Sequence, residues 1–104
     1  MGLYNTDYEK VAASQTAQVL GPGTATTKTD QLLEHLLVTP ATLDPGAVAI
    51  KDGSDTAMTV FTGGTGSVTS LTPFSIFVGA RSRVGSWQVT TGTDVSVIAV
   101  GKFS

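Results

Sequence analysis

The sequence predicts an all-β fold: a small antiparallel β-sandwich or jelly-roll-like barrel of about seven short strands, with an N-terminal arm. Segments rich in Val, Ile, Thr and aromatic residues recur at intervals of roughly 8–12 residues, separated by Gly, Pro and Asp. Several of these segments alternate apolar and polar residues, which is the period of a strand with one buried face. A chain of 104 residues is most simply one domain. We expect residues 1–15 to form the arm and residues 16–104 the single β-sandwich domain.

The N-terminal segment lacks a clean hydrophobic period, although Tyr4 and Tyr8 are four residues apart. Chain ends are commonly loose, so one interpretation is a frayed terminus. The other is an arm that lies on a neighbouring molecule and is anchored by the two tyrosines. After this arm, a first short strand is expected over residues 16–20, ended by Gly-Pro-Gly at 21–23.

Residues 32–38 fit two secondary structures. Leucines four apart and Asp30 as an N-cap favour a helix, but Pro40 would end it abruptly, and so short a helix is marginal. We therefore predict a strand. Its two faces would carry Leu33, His35 and Leu37 on one side and Leu32, Glu34, Leu36 and Val38 on the other.

The clearest local prediction is a β-hairpin over residues 45–61. Asp52 and Gly53 are residue types that tolerate positive φ in tight turns. Apolar residues alternate in both arms, with Val48 and Ile50 on one face of the first arm and Met58 and Val60 on one face of the second.

Three further strands are expected over residues 74–78, 86–90 and 95–100. Each carries one apolar set at period two: Phe74, Ile76 and Val78 in the first, Trp87 and Val89 in the second, and Val95, Val97 and Ala99 in the third. The connection over residues 79–85 is expected to be a turn region that carries two arginines.

Composition excludes several classes of partner. The net charge is −2, and six scattered basic residues cannot line up on many phosphates, so we expect no nucleic-acid partner. No apolar run approaches the roughly 20 residues that span a bilayer, so no membrane partner is expected. There are no cysteines, and charged residues make up only 13% of the chain, which leaves little charge to keep copies apart. This favours self-association or attachment to a large assembly.

No residue pattern predicts catalysis or metal binding. His35 is the only histidine, so one subunit cannot build a histidine triad or a multi-histidine metal site. Asp52, Ser54 and Asp55 supply oxygens in one turn, as calcium sites do, but the loop lacks the ligand pattern of a calcium loop. Hairpin turns contain aspartates for conformational reasons. We expect no enzyme activity, no cofactor and no metal.

Trp87, with Arg81 and Arg83 nearby, has two interpretations. Trp and Arg are enriched where proteins bind partners, so the three residues could mark a sugar-binding or protein-binding surface. A tryptophan in a strand of a small β protein more often fills the core.

Four phrases carry a resemblance to a known group of proteins. They are LLVTPAT at 36–42, PGAVAIKDG at 45–53, GARSRVGSWQVTTG at 79–92 and VSVIAVG at 95–101. With them, roughly residues 16–104 resemble small virion proteins of tailed bacteriophages and are similar to capsid decoration (cement) proteins. Proteins of that group are compact β-sandwich modules that bind the outer face of the phage head, often as trimers or dimers.

The resemblance implies a non-catalytic virion structural protein that stabilises a phage head. Its implied partners are the major capsid protein and further copies of itself, with a trimer favoured over a dimer. It would be made in the host cytoplasm and located on the head surface. The candidate contacts are Tyr4 and Tyr8 for the shell, and Arg81, Arg83 and Trp87 for a subunit interface.

Two other functions stay open from the sequence. The first is a tail or head-fibre accessory protein with the same fold. The second is a carbohydrate- or receptor-binding module, which would expose Trp87 in a groove. An enzyme is the weakest alternative.

Overall fold

A computed structural model describes residues 7–21 and 29–103, and within these ranges the chain forms eight strands and no helix. The strands are β1 (Asp7–Val11), β2 (Gln18–Val19), β3 (Leu32–Pro40), β4 (Val48–Asp52), β5 (Met58–Phe61), β6 (Phe74–Arg81), β7 (Trp87–Thr91) and β8 (Val95–Lys102). They make two four-stranded sheets, which we call the front sheet, of order β1-β8-β3-β6, and the back sheet, of order β2-β7-β4-β5. Every pairing is antiparallel. The predicted small antiparallel β-sandwich is confirmed.

The strand beyond the expected seven is β1, which lies inside the segment expected to be an arm. Residues 7–11 pair with β8 along their whole length, and Val11 is buried in the core. The chain then runs on to the end of β7, where the backbone N–H of Thr91 donates to the carbonyl of Gln15. The described part of the expected arm is thus built into both sheets, while Tyr4 lies outside the described residues.

The predicted hairpin is present as β4 and β5. Gly53 in its turn has φ of +56°, a conformation that glycine adopts without a steric penalty. Val48 and Ile50 are buried as expected, and Val60 packs against the core. Met58 differs: it is 47% exposed, because it begins the edge strand of the back sheet.

Residues 32–38 form a strand, as predicted, but the predicted faces are wrong. The register shifts between Leu33 and His35 where β3 meets β6 and β8, which is the signature of a β-bulge. An extra residue reverses the alternation, so Leu33, Leu36 and Val38 all point into the core. A period read straight through the bulge assigns Leu36 and Val38 to the face opposite Leu33.

The core lies between the two sheets, and both contribute to it. Its buried apolar residues are Val11, Leu20, Leu33, Leu36, Val38, Val48, Ile50, Trp87, Val89, Val95, Val97, Ala99 and Phe103. Edge strands β5 and β6 are linked by the rings of Phe61 and Phe74, which meet edge to face with centroids 5.3 Å apart.

A buried glutamine holds one end of the sandwich together. The Gln31 side-chain amide donates to the carbonyls of Leu20 (3.1 Å) and Phe103 (2.7 Å), and its Oε1 accepts the backbone N–H of Trp87 at 2.8 Å. The backbone carbonyl of Gln31 accepts the indole N–H of Trp87 at 3.0 Å. One side chain therefore joins the end of β2, the C-terminal segment and the start of β7.

Candidate interaction surface

The outer face of the front sheet carries side chains in register across all four strands. One row consists of Tyr8, Val100, His35 and Phe77, and the next consists of Lys10, Ile98, Leu37 and Ser75. A third row sets Leu32 between Lys102 and Arg81. We call these eleven residues the front face.

The centre of the front face is apolar because the two central strands of its sheet carry apolar residues on both sides. In β8, Val97 and Ala99 fill the core, while Ile98 and Val100 point outward. In β3, the bulge keeps Leu37 outward between the buried Leu36 and Val38. Strands of this kind are usually covered on both sides, so the outer side is a candidate for contact with another molecule.

Aromatic side chains stand at the two edges of this face. Phe77 on β6 is 78% exposed and Tyr8 on β1 is 67% exposed. The Phe77 ring lies over Gly79, whose φ of +62° and missing side chain make room for it. Between the two rings, Leu37, Ile98 and Val100 are half-buried.

The outer face of the back sheet has a different composition. Its cross-strand rows contain one valine and otherwise small or polar side chains: Val19, Gln88 and Lys51 in one, and Thr90, Ala49 and Thr59 in the other. The contrast between the two outer faces selects the front face as the candidate site.

Charge on the front face is mainly positive. Lys10, Lys102 and Arg81 are three of the six basic residues of a chain whose net charge is −2. Asp30 partly offsets one of them, since its Oδ2 lies 3.9 Å from Nη1 of Arg81. Near the centre, Nδ1 of His35 lies 3.0 Å from Oε1 of Glu34. An apolar surface with basic groups at its rim suits a partner surface whose rim is acidic.

A cavity of about 500 Å³ adjoins the front face. Four of its lining residues, Lys10, Ile98, Thr39 and Ser96, lie on the outer side of the front sheet. Gln15, in the segment between β1 and β2, and Gln18, in β2, line it from another side. It gives this side of the sheet a depression where a partner side chain could bind.

The residues predicted as contacts from the sequence fall in three different places. Tyr8 and Arg81 both lie on the front face, although the sequence predicts them for different interfaces. Arg83 is exposed in the loop from β6 to β7. Trp87 is only 3% exposed and lies in the core, so its core interpretation is the one that holds and its side chain offers no surface to a partner.

The aspartate of the hairpin turn is used for structure. Asp52 accepts the backbone N–H groups of Arg83 at 2.8 Å and of Val84 and Gly85 at 3.1 Å each. Burial by itself would raise the pKa of Asp52, but these three hydrogen bonds and the charge of Arg83 outweigh it and lower the pKa below the usual value. In the described part of the chain, no three His, Asp or Glu residues are grouped to hold a metal ion.

Several front-face residues were not singled out from the sequence. Leu32, Leu37, Phe77, Ile98 and Val100 stand where apolar alternation leaves the outer positions of a strand. The available signal was that these outer positions are apolar too. A strand that is apolar on both faces is usually covered on both. In a two-layer sandwich the second sheet covers only the inner face, which leaves the outer face for contact with another molecule.

No protein-family model, curated protein or solved structure matches the chain. In the residues that the structure describes, no helix has the length and apolar character needed to cross a membrane. The front face and the residues that form it are therefore the basis for a functional assignment.

Proposed function

We propose that this chain is a virion structural protein that binds the outside of a tailed-phage head and stabilises it as a decoration protein. The front face carries the proposal. Its centre, formed by Leu37, Ile98 and Val100, is apolar, whereas the other outer face of the domain carries mainly small or polar side chains, and exposed apolar surface of this kind marks protein–protein contacts. Two of the phrases that resemble decoration proteins, residues 36–42 and 95–101, supply its centre through Leu37, Ile98 and Val100.

The mechanism that we propose is mechanical and involves no covalent step. Leu37, Ile98 and Val100 would be removed from water against the shell, which contributes about 25 cal/mol for each Å² of apolar surface. A specific contact needs about 800 Å² from each partner. That is roughly a seventh of the 5669 Å² surface of the chain.

The basic rim adds selectivity to this contact. Lys10 and Lys102 would favour acidic capsid surface and disfavour basic surface. A copy that contacts two neighbouring capsid subunits links them, and many such copies on one lattice resist outward pressure through avidity.

The test is to mix the protein with undecorated heads of the phage that encodes it and to measure bound protein after sedimentation. We expect saturable binding with a fixed number of copies per head. Ile98→Thr, which keeps a β-branched side chain, should weaken binding about tenfold by removing apolar contact at the centre of the face. Met58→Thr is the matched control, because Met58 is 47% exposed on the back sheet, and it should bind as the unmodified protein does.

Head binding that does not saturate, or that is equally strong in Ile98→Thr and the unmodified protein, would refute the proposal. Binding to isolated tails in place of heads would support the tail-accessory alternative. A glycan array tests the carbohydrate alternative, which has lost its main support because Trp87 is buried.

A further inference from the structure

Strand β6 differs from the other edge strands of the sandwich. Among the described strands, those at the edges are β1 and β6 in the front sheet and β2 and β5 in the back sheet. Strands β2 and β5 have only two and four residues, and β1 carries Asp7, Glu9 and Lys10 among its five. Strand β6 has eight residues, of which only the last, Arg81, is charged. Proteins keep edge strands short or charged to prevent pairing with another chain, and β6 lacks both protections.

We propose that β6 pairs antiparallel with β6 of a second copy around a two-fold axis. The two front sheets would join into one eight-stranded sheet, and the two front faces would form one continuous surface. The dimer does not depend on the proposed function; only the use of the joined surface to hold a phage head rests on it.

The backbone of β6 has hydrogen-bonding capacity for this partner. A strand directs alternate N–H and C=O groups to its two sides, and among the described strands β6 has a neighbour, β3, on one side only. None of the backbone hydrogen bonds made by the described loops involves residues 74–81. A second β6 offers the same alternating groups in reverse order, so the edge is complementary to itself.

The bulge restricts which residues can pair. Gly79, with φ of +62°, lies where β6 shifts register against β3, and a bulge bends the strand away from flat pairing. The flat segment is therefore residues 74–78, and the two-fold axis lies near its central residue, Ile76. In this register Ser75 of each copy is opposite Phe77 of the other, on the side of the front face.

Side-chain burial favours this register. Phe77, 78% exposed in the single copy, would lie across the small Ser75 of the second copy and lose much of its contact with water. On the inner side, Phe74, Ile76 and Val78 are half-buried at the open margin of the core, and each would gain an apolar neighbour. The dimer would thus cover apolar surface on both faces of β6.

Charge distinguishes β6 from β1 as the pairing edge. With the axis near Ile76, the two Arg81 residues are roughly 30 Å apart. At that distance salt in the solution screens the repulsion between them. The same operation on β1 would set Glu9 against Glu9, and like charges directly opposite each other destabilise a strand pair.

The size of the contact sets the expected affinity. Five residues of strand edge are about 17 Å long, so the contact is smaller than the roughly 800 Å² per partner of a standard interface. We expect a dissociation constant of about 10–500 μM in solution. Copies held side by side on a lattice would dimerise more completely because their effective concentration is high.

The experiment is sedimentation velocity on the full chain from about 10 μM to 1 mM, combined with hydrogen exchange at both ends of this range. We expect monomer and dimer in exchange, with amides of residues 74–78 more protected at high concentration. Phe77→Lys should weaken the dimer at least about tenfold by placing two added charges beside the axis. Tyr8→Lys is the matched control: it adds the same charge in the same row at the opposite edge, and it should leave the dimer intact.

A chain that remains monomeric at about 1 mM would overturn the inference, as would the trimer favoured by the resemblance. A dimer lost in Tyr8→Lys and kept in Phe77→Lys would also overturn it, because it would assign the contact to β1. None of these measurements requires phage heads, so failure of the dimer and failure of the head-binding proposal are separate results.

Discussion

At the scale of single residues, buried polar side chains hold the ends of the two sheets in place. Asp52 ends β4 in the back sheet, and its carboxylate bonds three consecutive N–H groups of the loop that brings the chain from β6 to β7. Gln31 does the same between the end of β2 and the C-terminal segment. Neither role is visible in a local sequence pattern, since the partners of Asp52 are more than thirty residues away.

Replacing Asp52 by alanine should lower the free energy of unfolding by about 3 kcal/mol, because it leaves several N–H groups of the 83–85 loop without an acceptor. Asp55→Ala is the control. Asp55 is exposed, its carboxylate accepts only the neighbouring N–H of Thr56 among the bonds described, and its removal should cost at most about 0.5 kcal/mol. Urea unfolding of both variants measures the difference, and equal costs would contradict the structural role of Asp52.

The stability contributed by the Asp52 charge should depend on pH. The pKa of Asp52 is lower in the folded chain than its ordinary value of 3.8, so the folded state favours the ionised form. This contribution is complete above the unfolded pKa and is lost as the pH falls through the folded pKa. The stability difference between the unmodified protein and Asp52→Asn should therefore be constant near neutral pH and shrink below about pH 4. A difference that grows on acidification would contradict this assignment.

At the scale of elements, the turn of the β4–β5 hairpin requires glycine at position 53 for two reasons, one local and one set by a distant loop. Its turn needs positive φ at Gly53, which the Asp-Gly pair already indicated. The 83–85 loop also approaches so closely that a Cβ on Gly53 would lie 2.6 Å from the backbone nitrogen of Gly85. Backbone atoms cannot yield as a flexible side chain can.

Gly53→Ala should therefore lower the free energy of unfolding by more than the strain of a left-handed alanine alone would. The control is Gly66→Ala, since Gly66 has φ of +65° and a Cβ added there would have no atom within 4 Å. We expect about 1 kcal/mol for Gly66→Ala and at least about 3 kcal/mol for Gly53→Ala, measured by thermal or urea unfolding. Similar losses in both variants would show that the 83–85 loop moves aside.

Strands were predicted well where their pattern is local. Strands β4 and β8 each alternate without interruption, so their buried residues follow from period two. Strand β3 was predicted as a strand, but its faces were wrong because the bulge next to Glu34 arises from pairing with β6 and β8. Strand β1 has mostly polar residues and buries only Val11 fully, so its pairing with β8 gives no clear local signal.

At the scale of the whole molecule, the two ends of the described chain meet. Strand β1 pairs with β8, and Oδ2 of Asp7 accepts the backbone N–H of the buried Phe103 at 3.1 Å. The N-terminal segment therefore forms one edge strand of the front sheet, whether or not it also contacts a neighbouring molecule.

Deleting residues 1–15 should destabilise the domain severely, because it removes the β1–β8 ladder and the buried Val11. We expect a loss of the cooperative thermal transition measured by circular dichroism. Tyr8→Ala, which keeps the strand and removes a side chain that is 67% exposed, should change stability by less than about 1 kcal/mol. A deletion variant that melts like the full chain would show that β1 is dispensable. Head binding should be tested with Tyr8→Ala, since loss of binding in the deletion would reflect unfolding.

The sequence by itself determines that this chain is a small antiparallel β-sandwich, where its main hairpin turns, and which alternating residues form most of the core. These features depend on residues within a few positions of one another, and a local period records them. Only the tertiary structure decides that Trp87 is buried, that β1 belongs to the front sheet, and that Tyr8, Val100, His35 and Phe77 form one row. The physical reason is that cross-strand neighbours such as Tyr8 and Val100 are far apart along the chain, so their contact depends on strand order and register, which no local period encodes.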